Sequence, residues 1–126
     1  MEPIVYRRCA YVINENQRLL DGCNALKKDD YDFFGKMMYA SHEGLSKEYE
    51  VSCTELDFIV DIARQHDGVI GARMMGGGFG GCVINLVKDS SYDNSLSDVK
   101  LKFKEQFNVV PRIIDVVIGD GARRIE

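Results

Sequence analysis

The chain has 126 residues, enough for one domain with a sizeable core, and its apolar (45%) and charged (29%) fractions are those of an ordinary soluble globular protein. A net charge of −4 argues against a general nucleic-acid binder, which needs a basic surface for phosphate contacts. No apolar run approaches the ~18 residues of a membrane span, and the start Met-Glu-Pro-Ile-Val-Tyr-Arg-Arg lacks a secretory core, so a cytoplasmic setting is expected.

The first half reads as helix. Cys9, Val12, Ile13, Leu19, Leu20, Cys23 and Leu26 recur at three- and four-residue steps, predicting a long amphipathic helix from Arg7 to about Lys28. Asp29-Asp30 breaks it and offers an N-cap to a second helix, with Phe34, Met37, Met38 and Ser41 on one face and an end near Gly44. Ser46 to Val51 reads as an irregular connector. Ser52 and Glu55 have the spacing of a capping box opening a third helix, whose apolar face is Leu56, Ile59, Val60 and Ala63. Gly68 is expected to end that helix in the left-handed conformation.

The period then changes. Val69 to Met75 and Cys82 to Val87 are short, apolar and rich in β-branched residues, predicting two strands. Leu96, Val99, Phe103 and Phe107 predict a fourth helix, with Ser95 and Asp98 as a second capping box. Pro111 introduces a last predicted strand, Ile113 to Ile118, before the polar tail Gly119-Asp-Gly-Ala-Arg-Arg. The order implies an α+β domain of helices on a small antiparallel sheet, a ferredoxin-like plait short of one or two strands. A missing strand is expected to come from sequence preceding Met1, leaving a sheet edge open to self-association in the isolated chain.

Four cysteines raise the question of a disulfide or a metal site. No pair is spaced Cys-x-x-Cys, and neither His42 nor His66 clusters with them. Cys9 and Cys23 on one helix would lie about 21 Å apart at ~1.5 Å per residue, beyond the ~7 Å reach of a bridge. All four are expected to be reduced and mostly buried, and no metal site is expected.

The strongest chemical signal is Gly76-Gly-Gly-Phe-Gly-Gly81, with five glycines in six residues. Glycine costs conformational entropy, so such a cluster implies positive φ or close approach of a ligand to bare backbone. Successive free amides in such a loop form a concave nest for an anion, phosphate above all. Gly76, Gly78 and Gly81 formally satisfy Gly-x-Gly-x-x-Gly, but a strand follows where the dinucleotide fingerprint requires a helix. No Gly-Lys-Ser/Thr closes the loop, so it is not a Walker A motif. Phe79 is expected to plug the loop onto the core. Arg73, in the strand leading in, is a candidate for touching phosphate, although a salt bridge or sheet-face role suits it better. Glu55 is accounted for by its cap, Asp57 by the first-turn dipole preference, and His42 by a structural role at a helix end.

The segment Ala72-Arg-Met-Met-Gly-Gly-Gly-Phe-Gly-Gly-Cys82 resembles the third signature motif of the galactokinase branch of the galacto-, homoserine, mevalonate and phosphomevalonate (GHMP) kinases. Arg8-Cys-Ala-Tyr-Val-Ile-Asn-Glu-Asn-Gln-Arg18, Phe34-Gly-Lys-Met-Met-Tyr-Ala-Ser-His42, Tyr49-Glu-Val-Ser-Cys-Thr-Glu-Leu-Asp57 and the ending Gly121-Ala-Arg-Arg124 are similar to stretches of that branch, in the same order. Met75 stands where the motif usually has Thr, and Thr54 where Pro is usual. The resemblance implies a C-terminal domain spanning residues 1–126 of an enzyme that phosphorylates the anomeric hydroxyl of galactose with ATP and Mg²⁺. The family's sugar-binding Gly-Glu-His-Thr-Asp, its phosphate loop Gly-Leu-Ser-Ser-Ser and its catalytic Asp and Arg do not occur here. The resemblance therefore implies an absent N-terminal domain as partner, no catalytic residue in this chain, and no turnover by the chain alone; the residues leave open whether Met1 is the natural start, and the resemblance favours that it is not. It assigns Gly76, Gly77, Gly78, Phe79, Gly80 and Gly81 to positioning sugar and phosphate, with Arg73 and Met75 as further candidates. Three alternatives stay open: a non-catalytic sugar sensor of the same family, a free-standing small-anion regulatory module, and a sister kinase for another sugar. Neither nucleic acid nor membrane is expected as a partner.

Overall fold

A computed structural model describes residues 1–125. Its elements are helices α1 (Pro3–Leu26), α2 (Tyr31–Lys47) and α3 (Thr54–Arg64), strands β1 (Val69–Met75) and β2 (Cys82–Val87), a 3₁₀ turn at Asp89–Ser91, and helix α4 (Tyr92–Phe107). β1 and β2 pair antiparallel from Val69↔Val87 to Met75↔Cys82, with one irregularity at Ile70. The architecture is α+β, helices on a small antiparallel sheet. α2 and α3 pack on β1, α1 lies on α2, and α4 leans on α3. No helix is long and apolar enough to cross a membrane among the described residues.

The core sits where α3 meets β1: Val60, Ala63 and Ala72 are buried together, with Tyr39, Val69 and Val83 packed around them. Met74 is fully buried. α2 approaches β1 through two glycines, since a Cβ on Gly71 would lie 2.6 Å from Gly35 Cα and one on Gly35 would meet the Ile70 backbone. At the far end, Phe58, Phe103 and Phe107 pack edge-on or tilted, fastening α4 to α3.

Between α1 and α2 the break falls as expected. Asp29 turns the chain with φ 56°, and Asp30 caps α2 by accepting the Phe33 amide at 3.0 Å. Other expectations need correction. α1 begins at Pro3, where a proline at the start of a helix forfeits no hydrogen bond. The face it turns to α2 is not the apolar one but Tyr11, Glu15, Arg18, Gly22 and Ala25. Val12, Ile13, Leu19 and Leu20 are exposed. Cys9, Cys23 and Cys82 are exposed as well, so the cysteines are free but not mostly buried. α2 continues through Gly44 to Lys47, because Gly44 makes room for the Tyr11 ring.

Neither capping box forms. Cys53 is the N-cap of α3 and gives no side-chain bond, while the Ser52 hydroxyl donates to Asp57 and accepts no helix amide. Ser95 lies inside α4 and donates back to the Tyr92 carbonyl at 2.8 Å, and Asp98 pairs with Lys102 at 3.1 Å. Gly68 is not left-handed; α3 ends in Gln65 with αR geometry. What Gly68 provides is clearance, since any side chain there would strike Ser91. Ile113–Ile118 forms no strand among the described residues. Strand geometry is stable only when its amides and carbonyls are paired, and β1 and β2 pair only with each other. Val117 and Ile118 are almost fully exposed.

Candidate functional site

The loop between β1 and β2 takes backbone geometry that glycine alone adopts without strain. Gly76, Gly78, Gly80 and Gly81 have φ of 89°, 89°, 128° and 102°, and Phe79 sits among them at 59°. Gly76, Gly77 and Gly80 have nothing near the place a Cβ would occupy, so one side of the loop is bare backbone open to solvent. The other side is seated. The Phe79 amide donates to the Val51 carbonyl at 2.7 Å, and Gly78 lies so close to Val51 that no side chain would fit. Among the described residues, the amides of Gly76, Gly77, Gly78 and Gly80 donate to no backbone carbonyl. Unused amides around a concave turn are what an anion needs.

Phe79 does not plug the loop onto the core, correcting the expectation. Its own amide fixes its left-handed backbone against Val51, and that geometry leaves the ring 77% exposed. Met75, at the end of β1 opposite Cys82, is half-exposed at the loop entrance. Arg73 Nη1 lies 3.7 Å from Glu15 Oε1, and its Nε donates to the Met74 carbonyl at 3.1 Å. Glu15 also accepts from Ser41 and pairs with Arg18. Arg73 is therefore engaged with α1 and stays partly accessible.

Sequence reasoning passed over a second group, beneath the loop. His42 is 3% exposed. Its Nδ1 accepts the Met74 amide at 3.1 Å, so Nε2 carries the proton and faces Asp57 Oδ1 at 3.1 Å. Asp57 also accepts from Ser46 Oγ at 2.8 Å and from Ser52. Burial pushes the His42 pKa below its ordinary value, with Arg64 acting in the same direction and Asp57 and Asp61 opposing. Removing the ring from water thus outweighs the neighbouring carboxylates, and neutral imidazole is the resting form. The first-turn dipole accounts for Asp57 only in part, since three side chains converge on it. The clue in the sequence was His42 and Ser46 lying a short connector away from Ser52 and Asp57, but only a tertiary contact joins them.

Among the described residues, no group of three or more His, Cys, Asp or Glu could hold a metal ion.

Comparison with known proteins gives a consistent picture. The family model described as GHMP kinases C terminal matches residues 24–108. A galactokinase of Thermotoga neapolitana is 38% identical over 125 residues, covering 99% of this chain and 36% of the relative. A galactokinase of Clostridium beijerinckii is 41% identical over 124 residues, covering 98% and 32%. Among solved structures, Lactococcus lactis galactokinase complexed with galactose superposes with a TM-score of 0.83 at 32% identity, over 86% of this chain and 28% of that one. L. major mevalonate kinase in complex with R-mevalonate gives a TM-score of 0.63 at 31% identity, over 71% and 27%. The chain spans about a third of the length of the curated relatives it matches.

Proposed function

The chain belongs to the GHMP kinases, as the C-terminal domain of that family, and on that premise we propose that it serves a galactokinase, which moves the γ-phosphate of ATP to the anomeric hydroxyl of galactose. The observation that carries the reading is the Gly76–Gly81 loop, bare on one side and seated on Val51 on the other. Phosphoryl transfer depends mainly on positioning and on stabilising charge on the phosphoryl oxygens. Fixed backbone amides do both without rearranging as charge develops. Gly76, Gly77, Gly78 and Gly80 are the donors suited to that task, with Phe79 and Gly81 holding the curve. Arg73 and Met75 flank it at the strand end.

Phosphate oxygens of ATP fit this chemistry. Mg²⁺ does not fit the described residues, which offer no cluster of ligands; its ligands, the base for the sugar hydroxyl and most of the ATP contacts are assigned to an N-terminal domain of the full-length enzyme. Two features leave room for such a partner: the exposed apolar face of α1, with Ile13 at 69% and Leu19 at 65% exposure, and the exposed apolar stretch Ile114–Ile118, which forms no helix or strand. Apolar patches of this kind mark interfaces.

The test is galactose 1-phosphate formation by the 126-residue chain and by the product of the full reading frame that contains it. Turnover of galactose by the longer product, with the chain alone at background, is the expected result. Turnover by the chain alone would sink the division of labour. A longer product that binds galactose without turnover, or phosphorylates a different sugar in preference, would sink the galactokinase reading.

A further inference from the structure

Two separate lines of contact run from the His42–Asp57 pair to the entrance and the crown of the glycine loop. On one side, His42 Nδ1 accepts the amide of Met74, two residues before Gly76. It supplies β1 with an acceptor that a flanking strand would otherwise provide. On the other side, Asp57 accepts from Ser52, the residue after Val51. Val51 then seats the loop through its carbonyl on the Phe79 amide and its close packing on Gly78. The connector is fixed at further points: the Val51 amide donates to the Leu45 carbonyl at 3.0 Å, and Glu50, left-handed at φ 62°, pairs with Arg7 at 2.6 Å.

We propose that the His42–Asp57 pair is a positioning unit for the glycine loop, setting the entering strand through Met74 and the crown through Ser52 and Val51. The unit lies under the loop, and while the Asp57 side chain stays 40% exposed, its carboxylate is taken up by Ser46, Ser52 and His42. His42 is buried, and its two ring nitrogens are both engaged. It is therefore not an acid or base for the reaction. Its effect is on where the loop amides point. Ser46 is the internal control, because it donates to the same carboxylate from the last turn of α2, whereas Ser52 lies in the connector beneath the loop itself.

The inference rests on the loop being the phosphate-positioning element, and the experiment separates the two. Amide hydrogen exchange is followed by NMR in the 126-residue chain, together with urea unfolding to correct for global stability. A hydroxyl donating to a carboxylate is a charge-assisted bond, stronger than a neutral one, so Ser52→Ala should cut Phe79 amide protection by roughly tenfold or more and leave Met74 unchanged. Asp57→Asn should lower protection at both Met74 and Phe79, since the carboxylate serves both branches. Ser52→Thr, which keeps the hydroxyl, should restore wild-type protection at Phe79. Ser46→Ala should leave both amides within about twofold once global stability is subtracted. Equal losses in Ser46→Ala and Ser52→Ala, or no local loss beyond the global one, would overturn the proposal. Inorganic phosphate titrated into the wild-type chain tests the underlying reading instead. Loop amides that do not shift with phosphate, while Phe79 still loosens in Ser52→Ala, would reject the phosphate role and keep the positioning unit.

Discussion

The two halves of the molecule treat apolar surface in opposite ways. Around the glycine loop, α2, α3 and β1 bury Met74, Val60, Ala63 and Ala72 almost completely, and every polar contact of His42 is made inside that layer. On the other flank, α1 and the stretch after Asn108 carry a comparable apolar load, yet Ile13, Leu19, Leu20, Val116, Val117 and Ile118 are all exposed. Hydrophobic periodicity reports that a face is meant to be covered and is silent on what covers it. Near the loop the cover is local. Along α1 the contact made within this chain is polar and small, Tyr11, Glu15, Arg18, Gly22 and Ala25 against α2, and the apolar stripe is left over.

The largest effect should come from deepening that contrast. Met74→Ala removes a fully buried side chain and is expected to cost about 2–5 kcal/mol, a large part of the stability of a domain this size. Leu19→Ala, on the exposed stripe, should stay within about 0.5 kcal/mol in the same chain. Urea unfolding of both variants decides it. A Leu19→Ala loss approaching that of Met74→Ala would mean that α1 already buries its stripe in solution, for instance against a second copy. In that event the loss would depend on protein concentration.

What was legible in the sequence follows the same division. The strands at Val69–Met75 and Cys82–Val87 were readable to the residue, because β-branched apolar runs end at glycines and the pairing partner is next in sequence. The loop's openness was readable from glycine alone. Helix ends were not, since Ser52 and Ser95 had the spacing of caps but donate their hydroxyls to Asp57 and the Tyr92 carbonyl instead of accepting helix amides. Phe79 looked like a core residue because aromatic side chains usually are; its outward position comes from one hydrogen bond to Val51, 28 residues away in the numbering. The strand expected at Ile113–Ile118 had the right composition and no neighbour. Composition could not reveal the His42 hub, whose members come from α2, the connector, α3 and β1.

A smaller effect should separate the two regions by pH. The pKa of His42 lies below its ordinary value of 6.5 because burial disfavours the charged ring. The unfolded chain therefore takes up a proton at a higher pH than the folded one. The stabilisation is fully present above pH 6.5 and is lost as the pH falls through the lowered folded value. The loss approaches about 1.4 kcal/mol per pH unit for one such group. Unfolding free energies measured in steps from neutral pH into the acid range should show this decline. His42→Gln should flatten that part of the profile even if it lowers the overall level. An unchanged slope in His42→Gln would place the acid sensitivity elsewhere.

The smallest effect lies on the seam between the regions. Arg73 and Glu15 approach to 3.7 Å with side chains 37% and 25% exposed, and pairs of that kind contribute only about 0–1 kcal/mol. Arg73→Gln should therefore hardly change the urea midpoint. If Arg73 serves only to tie β1 to α1, phosphate titration of the Gly76–Gly81 amides will look the same in wild type and variant. If the guanidinium also reaches the anion, removing it should weaken phosphate binding several-fold at low salt, a difference that shrinks as salt is raised and screens the charge. The second outcome would make Arg73 the one side chain that joins the α1 flank to the chemistry of the loop. The first would leave the loop a purely backbone site, whose shape is set from below by Val51 and Met74.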